Sequence, residues 1–288
     1  MPIETYHTKM VSDGFGGAII AWSADSKIYV QRLDSSGNSI WADNRVIFNG
    51  DSHKLAIISD GEGGAIIAWV NADNTDDSDR LWAQRVDASG DTLWDDDGIC
   101  IYERAGVSQW RLIDLMIVSD RAGGAIVTWG SFEKGKPIYG QRIDASGRVV
   151  WNEGAVVISS MSYDYVDYKI VSDGVGGMVI AFNSDIDKTI IRRIDTSGKV
   201  VWSCNNLEIL RASDYQLVPN EAGGVIIVWL NYINDGERIL AQRIDASGSI
   251  LWDEIGIPIV KYSDSIMEFV IMHDGYGGAY IIWEGKHA

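Results

Sequence analysis

Proline is scarce in this 288-residue chain, at 4, and cysteine is scarcer, at 2. Two cysteines cannot build the disulfide framework of a stapled scaffold, so stability has to come from packing. Basic side chains are also few. Lys and Arg total 24 against 41 Asp and Glu, a formal net charge of −17, and they form no block. Phosphate binding rests on neutralising a polyanion, so nucleic acid and anionic membrane are excluded as partners. Long apolar runs are missing as well: the longest, such as Ala65 to Val70, fall far short of a membrane span, and Met1 to Lys9 shows no basic stretch leading into an apolar one. Histidine is limited to His7, His53, His273 and His287, and no HExxH, CxxC, GxSxG or Walker loop occurs. What the chain does have is glycine, 31 residues, with 12 tryptophans and 12 tyrosines in a 46% apolar composition that can bury a large core.

These residues fall into a repeat. A first half reads SDGFGGAIIAW at 12–22 and returns as SDGEGGAIIAW, SDRAGGAIVTW, SDGVGGMVIAF, PNEAGGVIIVW and HDGYGGAYIIW, six copies in all. A second half reads QRLDSSGNSIW at 31–41 and returns as QRVDASGDTLW, QRIDASGRVVW, RRIDTSGKVVW and QRIDASGSILW, five copies. The first glycine of each GG pair stands at 16, 63, 123, 176, 223 and 277, and the uneven spacing belongs to loops. The units run over about 5–51, 52–111, 112–164, 165–211 and 212–265, with a half unit at 266–288.

Each unit supplies four short strands: an entry strand such as Leu55 to Ser59, the run after GG, the segment ending in QR and Asp, and a fourth opened by the second Trp. AIIAW is apolar throughout, which in a strand means cover on both faces, whereas IYVQRLD alternates and reads as nearer a rim. In DASG, Asp suits the first and Gly the fourth position of a turn that closes a hairpin, and the DGxGG glycines supply positive φ and close approach. Four antiparallel strands about every 50 residues predict an all-β fold, a β-propeller of six sectors with the last incomplete, five blades being the alternative. The whole chain then forms one domain. Trp22, Trp69, Trp129, Trp229 and Trp283 end the second strands and Trp41, Trp94, Trp151, Trp202 and Trp252 open the fourth, so these ten are assigned to packing between blades. Trp82 and Trp110 fall outside the repeated positions.

Units of this form resemble the repeats of uncharacterised secreted or surface β-propeller proteins of bacteria and archaea. The resemblance spans nearly the whole chain and implies an extracellular or cell-surface location. The second half is also similar to the tryptophan-docking repeat of quinoprotein propellers, DxxTGxxxW, but one residue shorter from Asp to Gly, as in Asp87 to Gly90. The Asp box of sialidases is less similar, being one residue shorter on each side of its Gly. Neither relative lends an active site, since the matching residues form turns and packing.

Candidate chemistry is sparse. Arg32, Arg85, Arg142, Arg193 and Arg243 precede Asp34, Asp87, Asp144, Asp195 and Asp245 by two residues, on one face of a strand, and are expected to pair with them and hold the turn. Asp73, Asp77 and Asp79 have the early ligand spacing of a calcium loop, but Ser78 stands where Gly is wanted and Gln84 where a bidentate Glu belongs. Solvated acidic loops are the competing reading there and at Asn183, Asp185, Asp187 and Asp95 to Asp97; no other cofactor is expected. Cys100 and Cys204 lie two units apart, too far to bridge. The balance favours a non-catalytic binding or scaffold propeller for a glycan or protein. A glycoside hydrolase or lyase using two carboxylates over a central channel is the alternative, and a quinoprotein-like redox domain a third. Six first halves against five second halves leave Gly278 to Trp283 as an uncharged sheet edge open to self-association.

Overall fold

The computed structural model describes residues 6–71, 79–104, 112–132, 135, 137–151, 154–159, 167–183, 189–204, 214–220, 223–233, 236–263 and 265–286, and these contain strands and turns but no helix. Two compact units, Met1–Asp164 and Tyr165–Ala288, hold three antiparallel sheets each. In the first, β1 (Tyr6–Ser12), β2 (Ala18–Ala24), β3 (Lys27–Leu33) and β4 (Arg45–Asn49) form one sheet. β5 (Ser52–Ser59), β6 (Ala65–Asn71), β7 (Asp79–Val86) and β8 (Ile99–Arg104) form the next, and β9 (Leu112–Ser119), β10 (Ala125–Ser131), β11 (Ile138–Ile143) and β12 (Val156–Ser159) the third. The second unit repeats the pattern with β13 (Tyr168–Ser172), β14 (Met178–Asn183), β15 (Thr189–Ile194) and β16 (Val200–Cys204), then β17 (Tyr215–Pro219), β18 (Val225–Ile233), β19 (Gly236–Ile244) and β20 (Ile257–Ser263). Its last sheet has two strands, β21 (Ser265–His273) and β22 (Ala279–Lys286). First strands neighbour one another, β1 beside β5 beside β9 in one unit and β13 beside β17 beside β21 in the other. Such four-stranded antiparallel sheets fit a β-propeller.

The second strands carry the core. β6, β10 and β14 are buried on both faces apart from their last residue in β6 and β14, as their continuous apolar runs require, whereas β2 is half-buried at Ala18, Ile20 and Trp22 on one face. An aromatic from the fourth strand of one sheet covers the second-strand Trp of the next: Phe48 lies 5.2 Å from Trp69 and Tyr102 lies 4.9 Å from Trp129. Trp82 faces Trp69 across the ladder and packs in the same core. Trp110 lies outside the described residues.

The turn glycines divide their work. Gly63, first of its pair, has φ +90°, while its partner Gly64 has no room for a side chain, because a Cβ there would stand 2.1 Å from the carbonyl oxygen of Val86. Between them Asp60 organises the turn. One carboxylate oxygen accepts the backbone N–H groups of Glu62 and Gly64, both at 2.8 Å, and the other faces Arg85 at 2.9 Å.

That last contact corrects the expected pairing. Arg32, Arg85, Arg142 and Arg193 do not pair with the Asp two residues on; they pair with Asp13, Asp60, Asp120 and Asp173 of the GG turn, at 2.8 to 3.0 Å. Alternation puts each Arg and the following Asp on one face, but the chain has already bent into its turn at the Asp. Its carboxylate is used locally: Asp144 accepts N–H groups from Ser146 and Arg148, and Asp245 from Ser247 and Ser249. The Ser146 hydroxyl and then these backbone donors hold the Asp144 carboxyl below its ordinary range, and the Ser247 hydroxyl does the same for Asp245. A carboxyl depressed in the folded state contributes stability that is full above its unfolded pKa near ~4 and is lost as pH falls through the folded value. Asp144→Asn is therefore expected to flatten the fall in stability below about pH 4, read from urea melts at stepped pH.

The second tryptophans also differ from expectation. Trp41, Trp94, Trp151 and Trp252 precede the fourth strand instead of opening it; only Trp202 lies in one, β16. A buried glutamine is the reason. Gln84 accepts the N–H groups of Arg85 and Trp94 and donates to the carbonyl of Asp95, replacing ladder hydrogen bonds, and Gln242 does the same with Arg243, Trp252 and Asp253. In the fourth copy Arg192 stands in place of the glutamine, over the Phe182 ring, and Trp202 joins the ladder opposite Arg193.

Candidate functional site

Among the first strands, β9 shifts register opposite Thr128 to Gly130, while β13 and β17 pair with β14 and β18 without a shift. β1, β5 and β21 shift register between Tyr6 and Lys9, between His53 and Leu55, and between Ile266 and Glu268. At the irregularity His7, Lys54 and Asp114 take φ of +53°, +53° and +50°, a left-handed conformation uncommon for residues with a Cβ. All three stand nine residues before the first glycine of their GG pair. The same count reaches Asp167, Asp214 and Glu268 in the other copies. One position of the repeat is thus ionisable in all six copies without being the same residue, and it lies at the end of the sheets opposite the GG turns. Strain of this kind collects at functional sites, where the fold holds it in place.

In the first unit His7 opens on a cavity of about 350 Å³, which His53, beside Lys54, also lines. His7 and His53 meet there edge to face, with ring centroids 6.4 Å apart. The β2–β3 hairpin forms one wall, its two loop residues Asp25 and Ser26 at φ +49° and +54°, the pairing of left-handed residues that a two-residue hairpin demands. Ser26 donates its hydroxyl to Asp51 at 2.5 Å. Burial pulls the His53 imidazole below its ordinary pKa, the nearby His7 adds to this, and Asp51 opposes it.

In the second unit a cavity of about 220 Å³ lies between the starts of β13, β17 and β21, bordered by Lys169, Asp214, Gln216 and Glu268. Asp167 pairs with Lys169 at 3.5 Å. Burial pushes the Asp167 carboxyl above its ordinary range, Lys169 pulls against this, and Asp214 adds to the rise. Tyr215, buried beneath, holds its hydroxyl 3.3 Å and 3.1 Å from the carbonyl oxygens of Asp167 and Ala181, tying the fifth sheet to the fourth, and burial sets its phenol well above the usual value. The Asp167 and Asp214 carboxyl groups and Lys169 are hydrogen-bond partners for sugar hydroxyls.

Asp73 and Asp77 are outside the described residues, and Asp79 opens β7 with its side chain not described. Among the described residues no three metal-binding side chains form a group. Asp95 serves a turn, its carbonyl taking the Gly98 N–H, and both cysteines are free. Of the ten repeat tryptophans, seven are buried, Trp22 and Trp252 are half-buried, and Trp283 is 46% exposed. His7 was legible by counting nine residues back from Gly16; His53 stands one residue before the equivalent Lys54 of the next copy.

No family model matches the sequence, and no curated relative does. Solved structures are similar in fold. A polysaccharide lyase, an ulvan lyase, is similar over 92% of this chain and 71% of its own, at 12% identity and a TM-score of 0.56. The BP39L lectin from Burkholderia pseudomallei is similar over 88% of this chain and 70% of its own, at 14% identity and 0.54. Prolyl oligopeptidase B from Galerina marginata covers 98% of this chain with 38% of its own, at 14% identity and 0.55. The shared property is the fold. These neighbours include both enzymes and a binding protein, so likeness does not separate the two.

Proposed function

We propose that the chain is a six-sector β-propeller with an incomplete last sector that acts outside the cell and binds a glycan without turning it over, at the end of the sheets where the first strands begin. The observation that carries this is one repeat position, within or just before the start of each first strand and nine residues before its GG pair, that is ionisable in all six copies as His7, Lys54, Asp114, Asp167, Asp214 and Glu268. Packing fixes residue identity, as at the GG turns; a position that keeps only polarity and charge is shaped by something other than packing. Carboxylates, an imidazole and an ammonium group beside cavities of about 350 and 220 Å³ match the donors and acceptors of sugar hydroxyls. A net charge of −17 disfavours polyanionic glycans and favours neutral or amino sugars. The lectin and lyase neighbours make a glycan the reasonable ligand class. On an array of neutral, amino and acidic glycans, binding to a neutral or amino sugar is expected, with His53→Ala or Asp214→Asn weakening it about tenfold, as loss of one hydrogen bond to a charged group does. An array with no signal, or one unmoved by both substitutions, refutes it.

The Asp167 and Asp214 pair supports a second reading, a carboxylate-based glycoside hydrolase or lyase. Reducing ends or unsaturated sugars released by the wild type and lost in Asp167→Asn would select it.

A further inference from the structure

A second repeat position belongs to the end of the sheets where the first strands begin. It stands nine residues after the first glycine of the GG pair, as the ionisable position stands nine residues before it. In the third copy the two positions hold Asp114 and Phe132, and in the fifth Asp214 and Tyr232. Both aromatics are open to water. Phe132 is 50% and Tyr232 57% exposed, whereas Trp129 and Trp229, three residues before them, are buried. One exposed aromatic needs no explanation, but the same pairing of an Asp with an exposed ring in two copies does.

In the fifth copy the backbone brings acid and ring to one place. Leu230 donates its N–H to the Asp214 carbonyl at 3.0 Å, and Tyr232 follows two residues later on the same side of β18. Asp214 and Leu230 both line the cavity of about 220 Å³, so the ring stands beside it. Partial desolvation, and then the Asp214 and Glu237 charges, raise the Tyr232 phenol above its ordinary value, in keeping with that placement. Other polar groups nearby are already engaged. Gln216 is held by the backbone of Phe269 and Ile271, Glu237 accepts the Ile266 N–H, and Lys169 pairs with Asp167. Asp214 remains as an exposed carboxylate beside the apolar Leu230 and Phe269 of the cavity and the open ring of Tyr232.

We infer that Tyr232 is the stacking platform of a pyranose subsite at the second cavity, with the apolar C–H face of the sugar on its ring and two adjacent hydroxyls on the Asp214 carboxylate. The inference rests on the glycan reading of this end of the sheets. It adds which residues divide the work. A pyranose gathers ring C–H bonds on a face and hydroxyls around its rim; the negative face of an aromatic ring attracts the first, and a carboxylate accepts from two of the second. An acidic sugar is disfavoured here, because its carboxylate would meet Asp214 and Glu268 at the same cavity.

Methyl β-D-galactopyranoside and methyl β-D-glucopyranoside are the probes, titrated into the full chain and followed by saturation-transfer NMR. Irradiation of the protein's aromatic protons is expected to mark the ring C–H protons of at least one of them. Tyr232→Ala should weaken that binding about tenfold and Tyr232→Phe by less than about twofold, because the ring and not the phenol makes the contact. Asp214→Asn should weaken it about tenfold as well. Equal losses in the Phe and Ala variants overturn the inference, since the hydroxyl then acts. So does binding that Asp214→Asn weakens and Tyr232→Ala leaves intact; the glycan reading then survives without this subsite. Failure of both pyranosides to bind at about 100 mM also overturns it, and a glycan-array signal that Asp214→Asn still lowers tells that failure from failure of the glycan reading itself.

Discussion

Gly64→Ala is expected to cost roughly 4 kcal/mol or more, and to leave little folded protein if the unit is marginal, a loss as large as the strongest single-residue mechanisms produce. The added Cβ would stand 2.1 Å from the Val86 carbonyl oxygen, 2.7 Å from the Asp60 carboxylate and 3.0 Å from the Asp87 α-carbon. None of these yields cheaply. The carbonyl belongs to a central strand, Asp60 is engaged by two N–H groups and Arg85, and Asp87 starts the next turn. Gly61 in the same turn is the control. It has φ +83° and nothing within 4 Å of an added Cβ, so Gly61→Ala meets only the backbone penalty of about 1 to 2 kcal/mol. Urea melts of both variants separate steric exclusion from conformational strain. Equal losses would mean that the GG turn is needed for its dihedral angles alone.

Whatever was local was legible in the sequence. The GG turns, the Asp-x-Ser-Gly turns and the doubly covered second strands each follow from neighbouring residues, and repetition multiplied that signal. Partners far apart along the chain were not legible. Arg85 is two residues from Asp87 and 25 from Asp60, yet it pairs with Asp60, because chain direction at the turn decides and spacing along a strand does not. One clue was present: the fifth copy replaces the GG-turn Asp with Asn220 while keeping Arg243, which leaves that Arg without its ion pair. The glutamine clamp was hidden by its position. Beside a charged Arg, Gln84 reads as surface, whereas it is fully buried. The candidate site was missed for a different reason. Looking for identical residues finds packing and turns, but His7, Lys54, Asp114, Asp167, Asp214 and Glu268 share only the capacity to carry charge.

Trp94→Ala should cost about 3 to 5 kcal/mol, the range for removing a large aromatic from a tight core, and Trp252→Ala about 1 to 2. The two residues occupy one position of the repeat and share the glutamine contact at their backbone N–H, at 3.1 Å in each case. They differ in what the following sheet provides. Trp94 is 9% exposed, donates to the Ala145 carbonyl at 3.2 Å, lies against Gly147 and packs in a core with Trp129 and Tyr102. Trp252 meets only the inner part of a two-stranded sheet, packing beside Ile266, Phe269 and Ile271. Truncation at Trp94 opens a cavity and strands a carbonyl; truncation at Trp252 mainly enlarges a surface already open to water. Urea midpoints that rank the two residues in the opposite order would refute the assignment of the following turn as the source of the difference.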